Sequence, residues 1–287
     1  MNPNAAIVEP APAKLNLALH VRRRRADGYH DIETLFAFCE TGDVVTLADA
    51  GEDGFRITGP FAAALATVAQ DGAGAAAPGD NLVIRALEAF RRAFGVDQRH
   101  HIVLEKNLPV ASGIGGGSAD AAATLRALAR RHGIAPDDPR LIAIAGALGA
   151  DVPACLSGRT AFGTGKGDSL LPISQWRGTP VLLVNPGVGV STAAVFAGWD
   201  GIDRGALDPA RPLSGRNDLE PPARALAPVI ADVVALLGAQ PGVRVARMSG
   251  SGATCFALFE APEHRDRSSA AVAAAAPHWW RLTTRLA

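Results

Sequence analysis

An α+β chain in two domains is what these 287 residues predict, on three observations. Residues 13–47 alternate with the period of β-strands, in the runs LNLALHV, IETLFAF and DVVTL. Residues 80–95 and 118–133 instead carry apolar side chains at helical spacing, and beyond Asn217 helix, strand, turn and strand follow one another. With 48% hydrophobic residues, the length suits two cores of ordinary domain size. We expect a first domain over residues 1–170 and a second over 171–287, the second opening ahead of the apolar strand PVLLVN.

The elements follow in order. The first strands are interrupted by RRRRADGYH, a basic stretch whose Asp27-Gly28 pair marks a turn, so the chain begins as an antiparallel pair. Residues 62–77 are rich in alanine and glycine. Asp80 then stands where it can cap the helix NLVIRALEAFRRAFG, which Gly95 ends. Residues 101–105 form a short strand, and the loop KNLPVASGIGGGS leads into a helix that opens at Ser118 and stops at Gly133. A further helix covers LIAIAGALG, and the glycines of GADVPACLSGRTAFGTGKGDSL predict tight turns near a site. The tail reads as the helix PVIADVVALLG, a strand near residues 243–248, the turn SGSGAT, the strand CFALF and a terminal helix in AAVAAAAPHWW.

Bulk composition removes several classes of function. Lys plus Arg (28) equals Asp plus Glu (28), so no overall field attracts nucleic acid or an anionic membrane, and any anion site must be local. Cys39, Cys155 and Cys255 are odd in number and widely spaced, without a CxxC pair. That fits buried thiols in a reducing compartment rather than a disulfide framework or a zinc site. The opening MNPNAAIVEPAPAK lacks the basic and apolar regions of an export signal, and no run is long and apolar enough to span a bilayer. A soluble, cytoplasmic protein is expected.

The centre of interest is PVASGIGGGSADAAATL. Gly113, Gly115, Gly116 and Gly117 can adopt backbone angles closed to other residues and carry no side chain to obstruct a ligand. The helix that follows offers unsatisfied N–H groups and the positive end of its dipole, a combination that favours phosphate. A lone glycine run serves equally well as a plain turn with Ser118 as N-cap. A P-loop is excluded, because Ser118-Ala119-Asp120 stands where Lys-Ser/Thr is required. A dinucleotide fingerprint fits poorly, because a second helix rather than a parallel strand follows.

LPVASGIGGGSADAA resembles the ATP loop of the GHMP kinases, which act on small-molecule alcohols. APAKLNLALHV, RADGYHDIETLF, GADVPACLSGRTAFGTGKG and MSGSGATCFALF also resemble, in that order, the branch of this family whose acceptor is a cytidine-diphosphate methylerythritol. The similarity spans most of the chain outside residues 51–79 and 198–216. It implies an N-terminal domain like the second domain of ribosomal protein S5, a C-terminal ferredoxin-like domain, and transfer of phosphate from ATP to the 2-hydroxyl of 4-(cytidine 5'-diphospho)-2-C-methyl-D-erythritol.

By the same resemblance Asp151 accepts or orients the hydroxyl proton, and Lys14 pairs with it and helps polarise the hydroxyl. Asn16, two residues on, shares a strand face with Lys14 and can hydrogen-bond the substrate diol. Tyr29, the only tyrosine, is assigned to stacking on the cytosine, with Phe196 on the opposite side of the ring, His30 hydrogen-bonding the base and Thr192 the cytidine portion. Gly250, in the second glycine turn, closes over the site near the transferred phosphate. The ATP set is Asn81, Lys106, Pro109, Val110, Ala111, Ser112, Gly113, Ile114, Gly115, Gly116, Gly117, Ser118 and Ala119.

Without the resemblance each of these has a plainer reading: a turn or cap residue at Asp151, a surface lysine at Lys14, exposed polar residues at Asn81 and Lys106, structural residues at Tyr29 and His30, a simple hairpin at the second glycine turn. Many relatives have a second serine where this chain has Ala119, so Mg²⁺ is expected to arrive on the ATP rather than on protein ligands. The run Arg22, Arg23, Arg24 and Arg25 reads as a solvated turn, with attraction of the substrate diphosphate as the other option. Two other functions compete: a GHMP kinase of mevalonate or homoserine type, for which Tyr29, His30 and Phe196 have no use, and a non-catalytic nucleotide-binding protein, which would lack Lys14 and Asp151. A monomer or homodimer with no nucleic-acid or membrane partner is expected.

Overall fold

The computed structural model describes residues 5–68 and 81–287. Two compact units interleave along the chain, one formed by Met1–Ala13, Thr41–Val110 and Gly115–Gly158, the other by Lys14–Glu40, Ala111–Ile114 and Arg159–Ala287. Strands β1 (Ile7–Arg24) and β2 (His30–Ala50) pair with each other, and each contributes one part to each unit. Both run further than the alternation suggested. Arg22, Arg23 and Arg24 belong to β1, and the turn is confined to residues 25–29, where Arg25 N–H donates to Tyr29 O at 2.8 Å. Only the turn is corrected in the reading of the arginine run: Arg23 stays exposed, Arg22 meets Glu33 and Asp203, and Arg23 meets Asp31, so carboxylates neutralise the strand's charged end.

In the first unit β3 (Gly54–Thr58) lies parallel to β4 (Arg99–Glu105), and β4 lies antiparallel to the later part of β2, Val44 facing Glu105. After helix α1 (Ala62–Val68), helix α2 (Leu82–Phe94) buries Val83, Ala86, Leu87 and Phe90, the i, i+3, i+4, i+7 stripe of an amphipathic helix. Gly95 ends α2 in the left-handed conformation at φ 64°. Asp80, the expected cap, lies outside the described residues; Asn81 occupies the N-cap, its side chain accepting from Val83 N–H at 2.9 Å.

Helix α3 (Gly116–Arg131) starts two residues before Ser118, with Gly115 as N-cap, which corrects the sequence-based helix start. Glycines at the entry obscure that start, because they carry no helix-favouring signal of their own. From Ala119 to Ala129 nearly every residue of α3 is buried, mostly alanine, which lets α2 and α5 approach closely. Helices α4 (Pro139–Leu148) and α5 (Val152–Ser157) complete this unit.

In the second unit the earlier part of β2 pairs with β5 (Ala161–Thr164), which turns through Gly165 and Gly167 into β6 (Ser169–Pro172). The rest is a four-stranded antiparallel sheet of β7 (Pro180–Asn185), β8 (Val243–Met248), β9 (Cys255–Phe259) and β10 (Trp280–Arg285) in spatial order β10-β7-β9-β8. Between β7 and β8 run α6 (Thr192–Ala197), α7 (Glu220–Leu226) and α8 (Val229–Gly238), and between β9 and β10 runs α9 (Pro262–Ala275). Counting α8 and α9 as its helices, this is the β-α-β-β-α-β order of a ferredoxin-like domain. Its core joins Leu182, Val184, Ile230, Val233, Phe259 and Val272.

The alanine-rich tail is corrected in one respect. Its helix begins earlier, at Pro262, and is not terminal, because Trp280 opens β10, paired residue for residue with β7. Cys39, Cys155 and Cys255 are reduced and buried. Among the described residues no helix is long and apolar enough to cross a membrane.

Candidate active site

The first unit holds the helix that the glycine loop feeds. Gly115, at φ 67°, turns the chain into α3 and supplies no side chain to cap it, and no acidic residue stands in the first turn of α3. The start of a 16-residue helix is therefore left without a side-chain cap. Gly116 is required here by close packing, since a Cβ on it would lie 2.9 Å from Lys106 Nζ.

Lys106 is neither exposed nor surface-polar; it is 2% exposed. Its ammonium donates to Asp43 Oδ2 at 2.5 Å and to Asp120 Oδ2 at 2.8 Å, and Asp43 Oδ1 accepts the backbone N–H groups of Asn107 (2.6 Å) and Leu108 (2.8 Å). This cluster ties the end of β4 to the first turns of α3. Burial alone would lower the Lys106 pKa, but the Asp120 and Asp43 charges outweigh it and raise it. Burial pushes the Asp120 carboxyl up to about 7 against the pull of Lys106, with Asp43 pushing the same way. Asp120 is thus buried against Lys106.

Asp151 occupies the N-cap position of α5, yet its side chain makes no capping hydrogen bond. The plain cap reading does not account for this carboxylate.

The second unit gathers the other candidate residues. Lys14 is 3% exposed, which removes the surface-lysine reading. Its ammonium donates to Asn16 Oδ1 at 2.9 Å and sits 5.5 Å from the centre of the Phe36 ring. The shared strand face expected for Lys14 and Asn16 is present. Asn16 also donates through Nδ2 to Thr34 Oγ1 (2.8 Å), whose own O–H donates to Ala18 O (2.7 Å), so the amide's orientation is set. Asn16 N–H donates to Ser249 Oγ (3.1 Å), and Ser249 Oγ–H to Gly113 O (3.2 Å).

The two glycine turns press on each other here. A Cβ on Gly113 would lie 2.6 Å from both Gly252 O and Ser249 O, and one on Gly250 would lie 3.0 Å from Asn16 Oδ1. Asn217 braces the second turn, donating to Met248 O and Gly250 O at 2.8 Å each. The SGSGAT turn does join the antiparallel pair β8 and β9, so the hairpin reading holds, and its Gly250 also abuts Asn16.

Around the Tyr29-His30 turn, His30 is buried and its ring lies 4.9 Å from that of Phe196 and 5.7 Å, edge-on, from Trp199. Tyr29 is 55% exposed, with Lys166 Nζ 4.7 Å from its ring centre. Thr192 Oγ1 lies 2.8 Å from Ser251 Oγ. Sequence reasoning missed Asp43, Thr34, Asn217 and Trp199. Asp43 opens the run DVVTL directly after Gly42, and an acidic residue at a strand start was the one available signal.

The GHMP kinases N terminal domain matches residues 81–159, and the GHMP kinases C terminal domain matches residues 200–278. A 4-diphosphocytidyl-2-C-methyl-D-erythritol kinase of Rhizorhabdus wittichii is 56% identical over 99% of this chain and 96% of its own. One from Sphingopyxis alaskensis is 48% identical over 99% of each chain. The crystal structure of a 4-(cytidine 5'-diphospho)-2C-methyl-D-erythritol kinase superposes with a TM-score of 0.79 at 34% identity, covering 98% of this chain and 99% of that one. A homoserine kinase from Cytophaga hutchinsonii, at 20% identity, TM-score 0.71 and coverage of 98% and 95%, shares the fold alone. The two-domain fold, the glycine loop leading into α3 and these full-length matches agree: the chain belongs to the GHMP kinase family, in the group of the 4-diphosphocytidyl-2-C-methyl-D-erythritol kinases.

Proposed function

We infer that this protein uses ATP to phosphorylate the 2-hydroxyl of 4-(cytidine 5'-diphospho)-2-C-methyl-D-erythritol, a step of the non-mevalonate route to isoprenoid precursors. The observation that carries this reading is 56% identity, over 99% of the chain, to a protein bearing that kinase's name.

In this reading Asp151, at the N-cap position of α5, accepts or orients the proton of the substrate hydroxyl. Lys14 polarises the same oxygen. Its burial favours that role, since a cation out of water acts more strongly on a nearby oxygen than a hydrated one. Asn16, oriented by Thr34, steers the Lys14 ammonium and binds the diol.

The loop from Pro109 to Ala119 and the start of α3 receive the ATP phosphates on backbone N–H groups. Asn81 and Lys106 serve this side of the site, Asn81 by starting α2 and Lys106 by supporting α3 from beneath. Mg²⁺ carried by the nucleotide neutralises part of the phosphate charge when bound. Tyr29, His30 and Phe196 hold the cytosine, Thr192 the cytidine portion, and Gly250 leaves room for the transferring phosphate. The enzyme works in the cytoplasm as a monomer or homodimer, and its three buried, reduced cysteines suit that compartment.

The test is ADP release by the purified protein with ATP, Mg²⁺ and the cytidine substrate, beside mevalonate and homoserine. Turnover on the cytidine substrate alone, lost in Asp151→Asn, is the expected result. Turnover on another alcohol and none on the cytidine compound would refute the reading.

A further inference from the structure

Of the four consecutive arginines, three end on carboxylates: Arg22 on Glu33 and Asp203, Arg23 on Asp31, and Arg25 on Asp27 and Asp31. Arg24 differs. Among the described residues its partner is the His30 ring, with Arg24 Nε donating to His30 Nε2 at 3.4 Å. The two residues sit at the end of β1 and the start of β2, so the hairpin itself brings them together.

A guanidinium is always charged and can only donate, so the ring nitrogen it meets must be the bare one. A neutral imidazole whose Nε2 accepts carries its proton on Nδ1. Burial lowers the His30 pKa, and the positive charge of Arg24 lowers it further, so both effects keep the ring neutral. Phe196 and Trp199, on the α6 side of the ring, carry no charge of their own.

We propose that Arg24 is a specificity-determining positioning residue: by occupying His30 Nε2 it fixes the ring as the Nδ1–H form, so His30 offers the pyrimidine a donor and favours cytosine over uracil. The chemistry of the two bases sets the direction. N3 of cytosine is an acceptor and meets a donor well, whereas N3 of uracil carries a hydrogen and would oppose Nδ1–H, leaving buried donors unpaired. An imidazole free to exchange tautomers would serve either base. The base selection rests on the reading that the substrate's base binds at His30; the tautomer does not.

The experiment compares wild type with Arg24→Met and Arg24→Gln. Long-range ¹⁵N–¹H spectra of the ligand-free protein, with the His30 signals assigned through His30→Gln, are expected to show Nδ1–H in wild type. In Arg24→Met they should show a mixture or Nε2–H, with Arg24→Gln in between, because its amide still donates. In turnover, the KM ratio of the uridine analogue to the cytidine substrate should fall about tenfold in Arg24→Met, with kcat unchanged. Wild-type His30 found as Nε2–H, or an Arg24→Met protein with unaltered tautomer and unaltered KM ratio, would overturn the proposal. Absence of turnover on either pyrimidine substrate, with Nδ1–H still seen in wild type, would overturn the base selection together with the reading it rests on.

Discussion

The Lys106 ammonium lies 2.8 Å from Asp120 Oδ2 in a fully buried cluster that also contains Asp43, so one cation faces two carboxylates. The two acids do different work. Asp43 also receives the N–H groups of Asn107 and Leu108, whereas Asp120 Oδ1 is buried and has no hydrogen-bond partner among the described residues. Asp43→Asn should therefore destabilise the protein by about 1–3 kcal/mol, because an amide holds the ammonium and the two backbone N–H groups less well than a carboxylate does. Asp120→Asn keeps the shape and leaves a balanced Lys106–Asp43 pair. Its expected result is a higher Tm than wild type at pH 8, and a clear loss of Tm there would refute the assignment.

Asp120 also sets a pH dependence with a definite sign. Its carboxyl is pushed up to about 7 in the folded protein, so the fold binds a proton that the unfolded chain has already released. The stability it contributes is complete below the ordinary carboxylate range and is lost as pH rises toward and through about 7. Denaturant midpoints across pH 5–8 should show this decline in wild type and a flatter profile in Asp120→Asn.

His100 and His132 pull the opposite way. Their Nε2 atoms are 3.1 Å apart, and burial holds both below the usual histidine value; Asp49 opposes the shift, while Arg91 and Arg131 add to it. As pH falls through about 6.5 the unfolded chain takes up protons before the fold does, so stability is lost on the acid side. Replacing His132 with Gln should weaken that acid limb. Each kcal/mol involved is worth about 2–4 °C of Tm in a chain of this size, which scanning calorimetry at pH 5.5 and 7 resolves.

Lys14→Met separates chemistry from stability. The methionine keeps the contact with Phe36 but leaves Asn16 Oδ1 without the ammonium that donates to it, so Tm should fall by a few degrees. Turnover should fall about 10²–10⁴-fold with little change in KM, as for loss of a group acting mainly in the transition state. Near-normal kcat in this variant would remove Lys14 from the mechanism.

Gly113→Ala tests the contact between the two glycine turns. At φ 76°, with a Cβ only 2.6 Å from Gly252 O and Ser249 O, alanine must displace one turn. A cost of about 1–3 kcal/mol is expected, together with reduced turnover. Unchanged Tm and activity would show that the turns yield easily.

Residues whose fate is decided nearby were readable in the sequence, and those decided at a distance were not. α2 announced itself through its apolar spacing and Gly95, and the apolar run 181–184 of β7 could only be a buried strand. Lys106 looked exposed because a lysine reads so by type; its burial depends on Asp43, 63 positions away, and no local pattern carries that pairing. α6 and α7, of six and seven residues, are too short for helical periodicity to register. At the tail, alanine propensity was read correctly as helix but carried past Pro277, where the alternation of WRLTTR marks β10. The shared face of Lys14 and Asn16 was legible from strand period alone, whereas Thr34, which sets the amide's orientation, was not.

The three buried thiols have a practical consequence. Cys39 is pushed up to about 12 and Cys255 is raised as well, both by burial, and the thiolate that maleimides and peroxides attack is scarce at such sites. The native chain should give almost no background in thiol labelling. A single cysteine introduced at an exposed position such as Val8 or Leu171 then becomes a site-specific handle for a fluorophore or spin label, with the three native cysteines left in place.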